Sequence, residues 1–298
     1  MSDTQPIPSA AVVSAHGVDV TTLTSLDSVT FGRIPPRLAS RRLGWWFYAE
    51  YRLRTMRSYW HVVAGYGVLT PVLYLLAMGL GLGTLVDGHT GGVQGVGYLT
   101  FVGPSLLVTS LVMESVAECT YTVMDYFRWS RVYLGVASTP LTPAMIVGGE
   151  VTAVSLRMTA QAVVFWLILV ISGSTASPWS WLTIPIGVLA SMSFGTPLLA
   201  FSATRERDDS SISFIERFII MPMFLFAGTF FPLESMPRYL QWIGWFSPMW
   251  HGTELARAAA FHMPLSPGQI AWHLGFLVGL FVVGYWLAAA QFRRRLTR

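Results

Sequence analysis

The amino-acid sequence predicts an all-α polytopic membrane protein. Of its residues, 53% are hydrophobic and only 11% are charged, whereas soluble domains carry about 25% charged residues. The apolar residues form long continuous runs rather than short alternating segments, which favours helices over a β-barrel. The 298 residues are enough for six spans of roughly 20 residues each, joined by short loops.

The region before the first span divides into two parts. Residues 1–32 are rich in small and polar residues and lack the basic start of a signal peptide, so they are predicted to be a disordered cytoplasmic tail. Residues 33–58 carry seven arginines interleaved with Trp, Phe and Tyr. Arginine on one side and aromatic residues on the other predict an amphipathic interfacial helix. The alternative is that this segment is simply the charged entry to the first span.

Residues 59–298 are predicted to form a six-span transmembrane domain. Each span is an apolar run of about membrane length. The predicted spans are about Trp60–Leu82, Tyr98–Cys119 (continuing toward Asp125), Pro143–Ile171, Trp181–Ala203, Ser213–Phe230 and Ile270–Ala290. The glycine-rich segment Gly83–Gly97 is expected to be an external loop.

The arginine distribution predicts the orientation. The N-terminal segment, the loop between spans 2 and 3, the loop between spans 4 and 5, and the C-terminal tail hold 7, 2, 2 and 4 arginines, and the other two short loops hold none. Because cytoplasmic loops are enriched in basic residues, both termini are predicted to be cytoplasmic. A seventh complete span over residues 233–261 would place the four-arginine tail outside, which argues against it.

The connector Pro232–Leu265 is too apolar for a plain loop. Its four prolines divide it into two short predicted helices, Met236–Phe246 and Pro248–Phe261, with Ser247 as the N-cap of the second. Ten helical residues rise about 15 Å, half the hydrocarbon thickness. These features predict a re-entrant helical hairpin between spans 5 and 6. The alternative is an apolar hairpin lying flat on the outer surface.

Several stretches together resemble a known family. These are Tyr98–Tyr121, Ser138–Glu150, Pro222–Pro237 and Trp245–Arg257. They resemble the type-2 ATP-binding-cassette (ABC-2 type) export permeases, most closely the branch of the nodulation lipo-oligosaccharide exporter permeases, with the daunorubicin-type drug exporters as more distant relatives. The resemblance implies a permease dimer, expected to be a homodimer, that works with two copies of a separate nucleotide-binding ATPase subunit and exports an amphiphilic substrate. A P-loop requires a lysine, and the chain contains none, so no cofactor is expected in this chain and ATP and Mg would bind to the partner.

The resemblance also implies two functional regions. The interfacial helix and the loop between spans 2 and 3 would contact the ATPase, and aromatic residues with arginine suit such an interface. The alternative is a helix end that lies at the lipid headgroups. The expected ATPase-coupling residues are Tyr126, Phe127, Arg128, Trp129, Arg131 and Tyr133. The outer gate and re-entrant segment are expected to include Phe230, Phe231, Pro232, Trp242 and Trp245.

Four charged residues fall inside predicted spans. Glu114 and Glu118 are one helical turn apart, and Glu150 and Arg157 lie two turns apart on nearly the same face of span 3. Charges within a bilayer must be paired, so ion pairs are predicted that link Glu114 or Glu118 with Arg157 or neighbouring groups. They either line a substrate path at its cytoplasmic entry or clamp spans 2 and 3 together, and the structural role is favoured.

Other functional classes find less support in the sequence. The single Cys119 and the scattered histidines predict no metal site, and no catalytic residues are expected. A membrane-embedded lipid-modifying enzyme would need a cluster of His, Asp and Glu on facing helices. A proton-coupled secondary transporter would show inverted repeats. The prediction is therefore a transport subunit in the bacterial plasma membrane, in contact with lipids and not with nucleic acid.

Overall fold

The computed structural model of the chain describes residues 43–58, 65, 69–205 and 211–297. Within these ranges the fold is all-α, and the extended backbone amounts to one isolated bridge between Val93 and Val96. The predicted tail over residues 1–32, and the part of the predicted interfacial helix before residue 43, lie outside the described residues.

The described helices follow the apolar runs of the sequence. Two stretches of π-helix, Ala77–Leu82 and Glu216–Ile220, and two 3-10 turns, Pro178–Leu182 and Leu233–Ser235, continue or connect them. The α-helices are α1 (Gly44–Ser58), α2 (Thr70–Leu76), α3 (Gly83–Thr90), α4 (Tyr98–Arg128), α5 (Val132–Ala137), α6 (Pro143–Ile171), α7 (Thr183–Thr204), α8 (Ser211–Ile215), α9 (Met221–Phe226), α10 (Arg238–Trp245), α11 (Pro248–Phe261) and α12 (Pro267–Leu296).

Five helical stretches within the described ranges are long and apolar enough to cross a membrane. They are Val72–His89, Tyr98–Arg128, Pro143–Ile171, Pro178–Thr204 and Pro267–Leu296. The last four coincide with predicted spans 2, 3, 4 and 6, and the first overlaps predicted span 1. With 31 residues, α4 extends for about 46 Å, so it projects beyond a hydrocarbon core of about 30 Å.

Predicted span 1 ends later than expected. The helix continues past Leu82 through α3 and stops where Gly91 adopts a left-handed φ of 69°. The expectation of a loop from Gly83 onward is therefore wrong for residues 83–90. Glycine in a helix costs about 1 kcal/mol, but backbone freed from the helix within hydrocarbon would lose hydrogen bonds worth several kcal/mol. The Asp87 carboxylate then accepts from the N–H of Tyr98 at 2.9 Å, which joins α3 to the start of α4.

Predicted span 5 is shorter than expected. Helical structure runs without interruption over residues 211–226 and includes the π-helical stretch. Sixteen residues of α-helix would rise about 24 Å, less than the hydrocarbon thickness. The predicted end at Phe230 is wrong, because Gly228 has a φ of 73° and turns the chain out of the helix. The count of six spans remains a prediction.

The core is built around α4. Almost every side chain in its first half is buried, and the helix packs against α6, α7 and α11. Helix α12 packs along α7. Gly252 allows the close approach of α11, since a Cβ there would lie 2.8 Å from a methyl group of Val108. The connector helix α11 is therefore an internal element of the bundle.

The two short connector helices match their predicted positions. Helix α10 is shorter than predicted by two residues at its start and one at its end, and α11 has the predicted bounds. Ser247 occupies the N-cap position before Pro248 as predicted, but its hydroxyl is buried and makes no capping hydrogen bond. The two helices differ in surroundings, because α10 exposes Tyr239 and Trp242 while most of α11 is buried. Whether the pair enters the bilayer as a re-entrant hairpin remains a prediction.

Candidate functional site

Helix α1 carries one arginine into the protein interior. Its inner face consists of Gly44, Tyr48, Ala49, Arg52 and Met56, and Arg52 is 0% exposed. The expected separation of arginines from aromatic residues is therefore wrong for this position. The helix can lie close to α6 because Gly149 faces it, where a Cβ would come within 2.5 Å of the Trp45 carbonyl oxygen.

Arg52 connects α1 to two membrane-length helices. Its Nη2 atom lies 2.7 Å from Glu150 Oε1 on α6 and 3.2 Å from Glu118 Oε2 on α4. Its Nη1 atom donates to the Tyr126 hydroxyl at 2.7 Å. A guanidinium presents several donors in a fixed plane, so one side chain can hold all three partners at once.

Tyr48 completes this part of the network. Its hydroxyl donates to Glu150 Oε2 at 2.9 Å. Burial, followed by the nearby negative charge of Glu150, raises the pKa of Tyr48 well above 10. The phenol therefore remains protonated and serves as a hydrogen-bond donor at any physiological pH.

A second group of ion pairs is the one predicted from the sequence. Arg157 on α6 pairs with both Glu114 and Glu118 on α4, as the sequence indicates. Glu118 thus lies between two arginines, whereas Glu150 pairs with Arg52. We call these five residues, Arg52, Glu114, Glu118, Glu150 and Arg157, the charge network. A buried charge that loses its partner is costly, so the network fixes α1, α4 and α6 relative to one another.

Sequence reasoning missed Arg52, although a signal was present. Gly44, Tyr48, Ala49 and Met56 recur at helical spacing, and Arg52 falls on the same face. Glu150 also had no assigned partner within the spans. Together, the unpaired carboxylate and the periodic face indicate an inward arginine. Among the described residues no group of His, Cys, Asp and Glu could hold a metal ion.

The predicted coupling residues divide into an exposed and a buried set. Trp129 is 61% exposed and Arg131 is exposed, while Arg128 is half-buried. Tyr126, Phe127 and Tyr133 are buried against one another and Phe292 of α12. These three rings pack within the chain, and the part that the six residues play in coupling remains a prediction. Tyr133 of α5 thus packs on Tyr126 and Phe127 of α4 and on Phe292 of α12.

The chain leaves helical geometry after α9. Gly228 has a left-handed φ, and the turn continues to Pro232. We call residues 227–232 the outer break. The hydroxyls of Thr109 and Thr229 share a hydrogen bond of 3.2 Å, and the Tyr98 hydroxyl donates to the Phe230 carbonyl oxygen at 3.3 Å. Both contacts fasten the outer break to α4.

Helix α11 fastens the outer break from the other side. Arg257 donates through Nη2 to the carbonyl oxygens of Gly228, at 2.7 Å, and Thr229, at 3.2 Å. The sequence suggests a local pair of Glu254 and Arg257 at the outer rim. The pair exists at 3.2 Å, but Arg257 is 0% exposed and lies in the interior rather than at a rim.

The predicted gate residues also divide into two sets. Phe230, Phe231 and Pro232 line a cavity of about 550 Å³, together with Met78, Leu82, Val86, Val93, Tyr98 and Leu225. This cavity is apolar and lies between the first span and the outer break. Trp242 and Trp245 are each more than half exposed on α10 and do not line it.

Comparison with known proteins shows which family the chain resembles. Residues 52–261 match the family described as ABC-2 type transporter. The chain is 27% identical to Nodulation protein J of Rhizobium leguminosarum bv. viciae over 232 residues, which cover 76% of the chain and 85% of that protein. It is 30% identical to Nodulation protein J of Neorhizobium galegae (76% and 84% covered) and 27% identical to that of Rhizobium meliloti strain 1021 (85% and 95% covered).

The matched region begins at Arg52 and ends at Phe261, so it includes the charge network, the outer break and α11. Such a permease is a transport subunit rather than a catalyst, and membership implies association with an ATP-binding subunit. With its several apolar helices, the chain is a multi-pass bacterial membrane protein that belongs to the ABC-2 type transporter family.

Proposed function

We propose that the chain is the permease of an exporter that moves an amphiphilic substrate out of the cytoplasm or the inner leaflet. Candidate substrates are a glycolipid, a lipo-oligosaccharide or a hydrophobic natural product or drug. A charge network in the second half of α4 and an apolar cavity at its start, where Tyr98 begins the helix, suit a molecule with a polar head and an apolar tail.

One observation carries the proposal: α5 is joined to the charge network, because the ring of Tyr133 on α5 packs against Tyr126 near the end of α4. Tyr126 accepts a hydrogen bond from Arg52, which also pairs with Glu118 and Glu150. A displacement of α5 or α1 by an ATPase would therefore pass directly to α4 and α6. This is the connection that an export permease needs, since it has no energy source of its own.

The proposed complex contains two permease chains and two ATPase chains. ATP and Mg would bind to the ATPase, because the chain has no lysine for a P-loop. Both termini would face the cytoplasm, which places α5, Trp129 and Arg131 on the side of the ATPase and the outer break on the opposite side. A homodimer is the simplest arrangement for one permease sequence.

The test is reconstitution with a candidate ATP-binding-cassette ATPase subunit from the same organism. Purified complexes in proteoliposomes should hydrolyse ATP and deplete a fluorescent lipid analogue with a glycan headgroup from the cytoplasmic leaflet. A complex whose ATPase lacks its P-loop lysine is the matched control. Transport that persists with this inactive ATPase and follows a proton gradient would favour a secondary transporter and overturn the proposal.

A further inference from the structure

The buried Arg257 of α11 has the geometry of a clamp on irregular backbone. Besides its bonds to the carbonyls of Gly228 and Thr229, its Nε atom donates to the Phe101 carbonyl of α4 at 3.3 Å. The guanidinium carbon lies 3.7 Å from the centroid of the Phe101 ring, and Nη1 lies 3.2 Å from Glu254 Oε1. One side chain therefore joins α4, α11 and the outer break.

The outer break needs such a clamp. Non-helical backbone in an apolar environment is tolerated only when its polar groups find partners within the protein. The left-handed Gly228 turns two successive carbonyls away from the helix axis, and Arg257 satisfies both. A planar guanidinium can bridge them, whereas a lysine ammonium is a point donor on a flexible stem.

We propose that Arg257 is the positioning residue of the outer gate. By fixing Gly228 and Thr229, it holds Phe230 and Phe231 in the wall of the 550 Å³ cavity. The bonds from Thr109 and Tyr98 fix the same turn to α4. The outer break therefore moves with α4 and α11 as one unit. The role of Arg257 in export rests on the proposed function, but its role in positioning Phe230 and Phe231 does not.

Cysteine labelling can measure how firmly Arg257 positions the side chain at residue 230. The chain contains one cysteine, Cys119, which is buried. In a Cys119→Ser background, Phe230→Cys places a single thiol beside the cavity, and Trp242→Cys places one on exposed α10. The permease alone, in proteoliposomes without any ATPase, is treated with a membrane-impermeant maleimide added to both sides, and the labelling rates are compared with and without Arg257→Lys.

The expected result is selective. Arg257→Lys should raise the labelling rate of the Phe230→Cys thiol by about fivefold or more, because one carbonyl of the break is released and the turn opens locally. The rate at the Trp242→Cys position should stay within about twofold, since α10 is already exposed. An unchanged rate beside the cavity, or an equal rise at both positions, would show that Arg257 only supports the general fold and would overturn the proposal.

A milder variant decides the matter if Arg257→Lys does not fold. Thr109→Val preserves shape and removes the hydroxyl bond to Thr229, so it should raise labelling beside the cavity and leave Trp242→Cys unchanged. No selective rise in this variant would then overturn the proposal. Because no nucleotide or transported substrate enters the assay, a failure here is distinguishable from a failure of the export function, which reconstitution with the ATPase tests.

Discussion

Arg52 carries a permanent positive charge into the interior, between carboxylates of α4 and α6. It is fully buried, and Glu150 is 2% exposed. Arg54, two residues further along α1, makes only a local pair with Glu50 on the surface, and its side chain is 77% exposed. Both arginines lie on α1 and each carries one positive charge, but Arg52 is buried and Arg54 is exposed.

Arg52→Ala should therefore destabilise the permease far more than Arg54→Ala. Removing Arg52 leaves Glu150 buried without its counterion, which costs about 3 to 5 kcal/mol, whereas an exposed pair contributes about 0 to 1 kcal/mol. Thermal unfolding in detergent, followed by tryptophan fluorescence, measures the difference. Equal midpoints for the two variants would contradict an internal ion pair at Arg52.

His251 is a buried group whose protonation state affects stability. It lies on α11, outside the membrane-length helices, and its Nε2 atom is 3.0 Å from the Trp245 carbonyl oxygen. This nitrogen must donate, so Nδ1 is the acceptor in the 2.7 Å hydrogen bond with His273 Nδ1. Burial lowers the pKa of His251 to about 4. The native state thus holds it neutral.

The sign of the resulting pH dependence follows from the lowered pKa. Between about pH 6.5 and pH 4 the unfolded chain binds a proton at His251 that the native chain does not, so stability falls as the pH falls through this range. His251→Gln removes that titration and should flatten the decline in melting temperature between pH 7 and pH 4.5. The exposed His89→Gln is the control, and an identical decline in all three proteins would exclude His251 as its source.

At the scale of elements, most membrane-length helices could be predicted because long apolar runs with few charges have few alternative structures. The departures occur at glycines. Gly83 remains helical, whereas Gly228 breaks a helix, and composition alone does not distinguish them. The difference lies in tertiary partners, since Arg257 donates a hydrogen bond to the Gly228 carbonyl oxygen and Thr109 shares one with the Thr229 hydroxyl.

The candidate site was predictable to a similar degree. The pairing of Arg157 with the glutamates of α4 follows from the cost of an unpaired charge in the membrane. The burial of Tyr126, Phe127 and Tyr133 does not follow from sequence, because an aromatic residue beside an arginine suits both an interface and a core. Only the tertiary packing of α12, which brings Phe292 against these rings, shows that they belong to the core.

The helices α1 and α6 approach each other closely at Gly149. A Cβ at Gly149 would lie 2.5 Å from the Trp45 carbonyl oxygen and 3.0 Å from the Ala49 amide nitrogen, both backbone atoms that cannot move aside alone. At Gly275 of α12 a Cβ would meet nothing within 4 Å. These two helical glycines form a matched pair.

Gly149→Ala should displace α1 and weaken its ion pairs, whereas Gly275→Ala should be neutral or slightly stabilising because alanine favours a helix by about 1 kcal/mol. Overpacking typically costs about 1 to 3 kcal/mol. Limited proteolysis near residues 54–57 and the melting temperature measure the two effects. Native protection of α1 in Gly149→Ala would show that the helix does not depend on this close approach.

At the scale of the whole molecule, the charge network and the outer break lie towards opposite ends of α4. Glu118 precedes the end of α4 by ten residues, whereas Tyr98 begins the helix and binds the outer break. The long, buried α4 is thus the element that connects the proposed ATPase side with the proposed gate. A rigid helix between two fastened ends transmits displacement over about 30 Å without any change in its own structure.

This arrangement predicts that binding of the ATPase depends on the exposed side chains near α5 and not on the buried rings beneath. Trp129→Ala removes a large side chain that is 61% exposed, and such residues are frequent hot spots that cost 2 kcal/mol or more, or about thirtyfold in affinity. Co-purification of the ATPase at graded concentrations should show this loss, while the melting temperature of the isolated permease stays unchanged.

Trp242→Ala is the matched control, because this tryptophan is 55% exposed on α10, at the end of the molecule that holds the outer break. It should leave ATPase binding unchanged. Phe127→Ala should show the opposite pattern from Trp129→Ala, with a lowered melting temperature caused by the loss of packing against Tyr133 and Phe292. If Trp242→Ala weakened ATPase binding as strongly as Trp129→Ala, the coupling surface would not lie at α5, and the transmission along α4 would have to be abandoned.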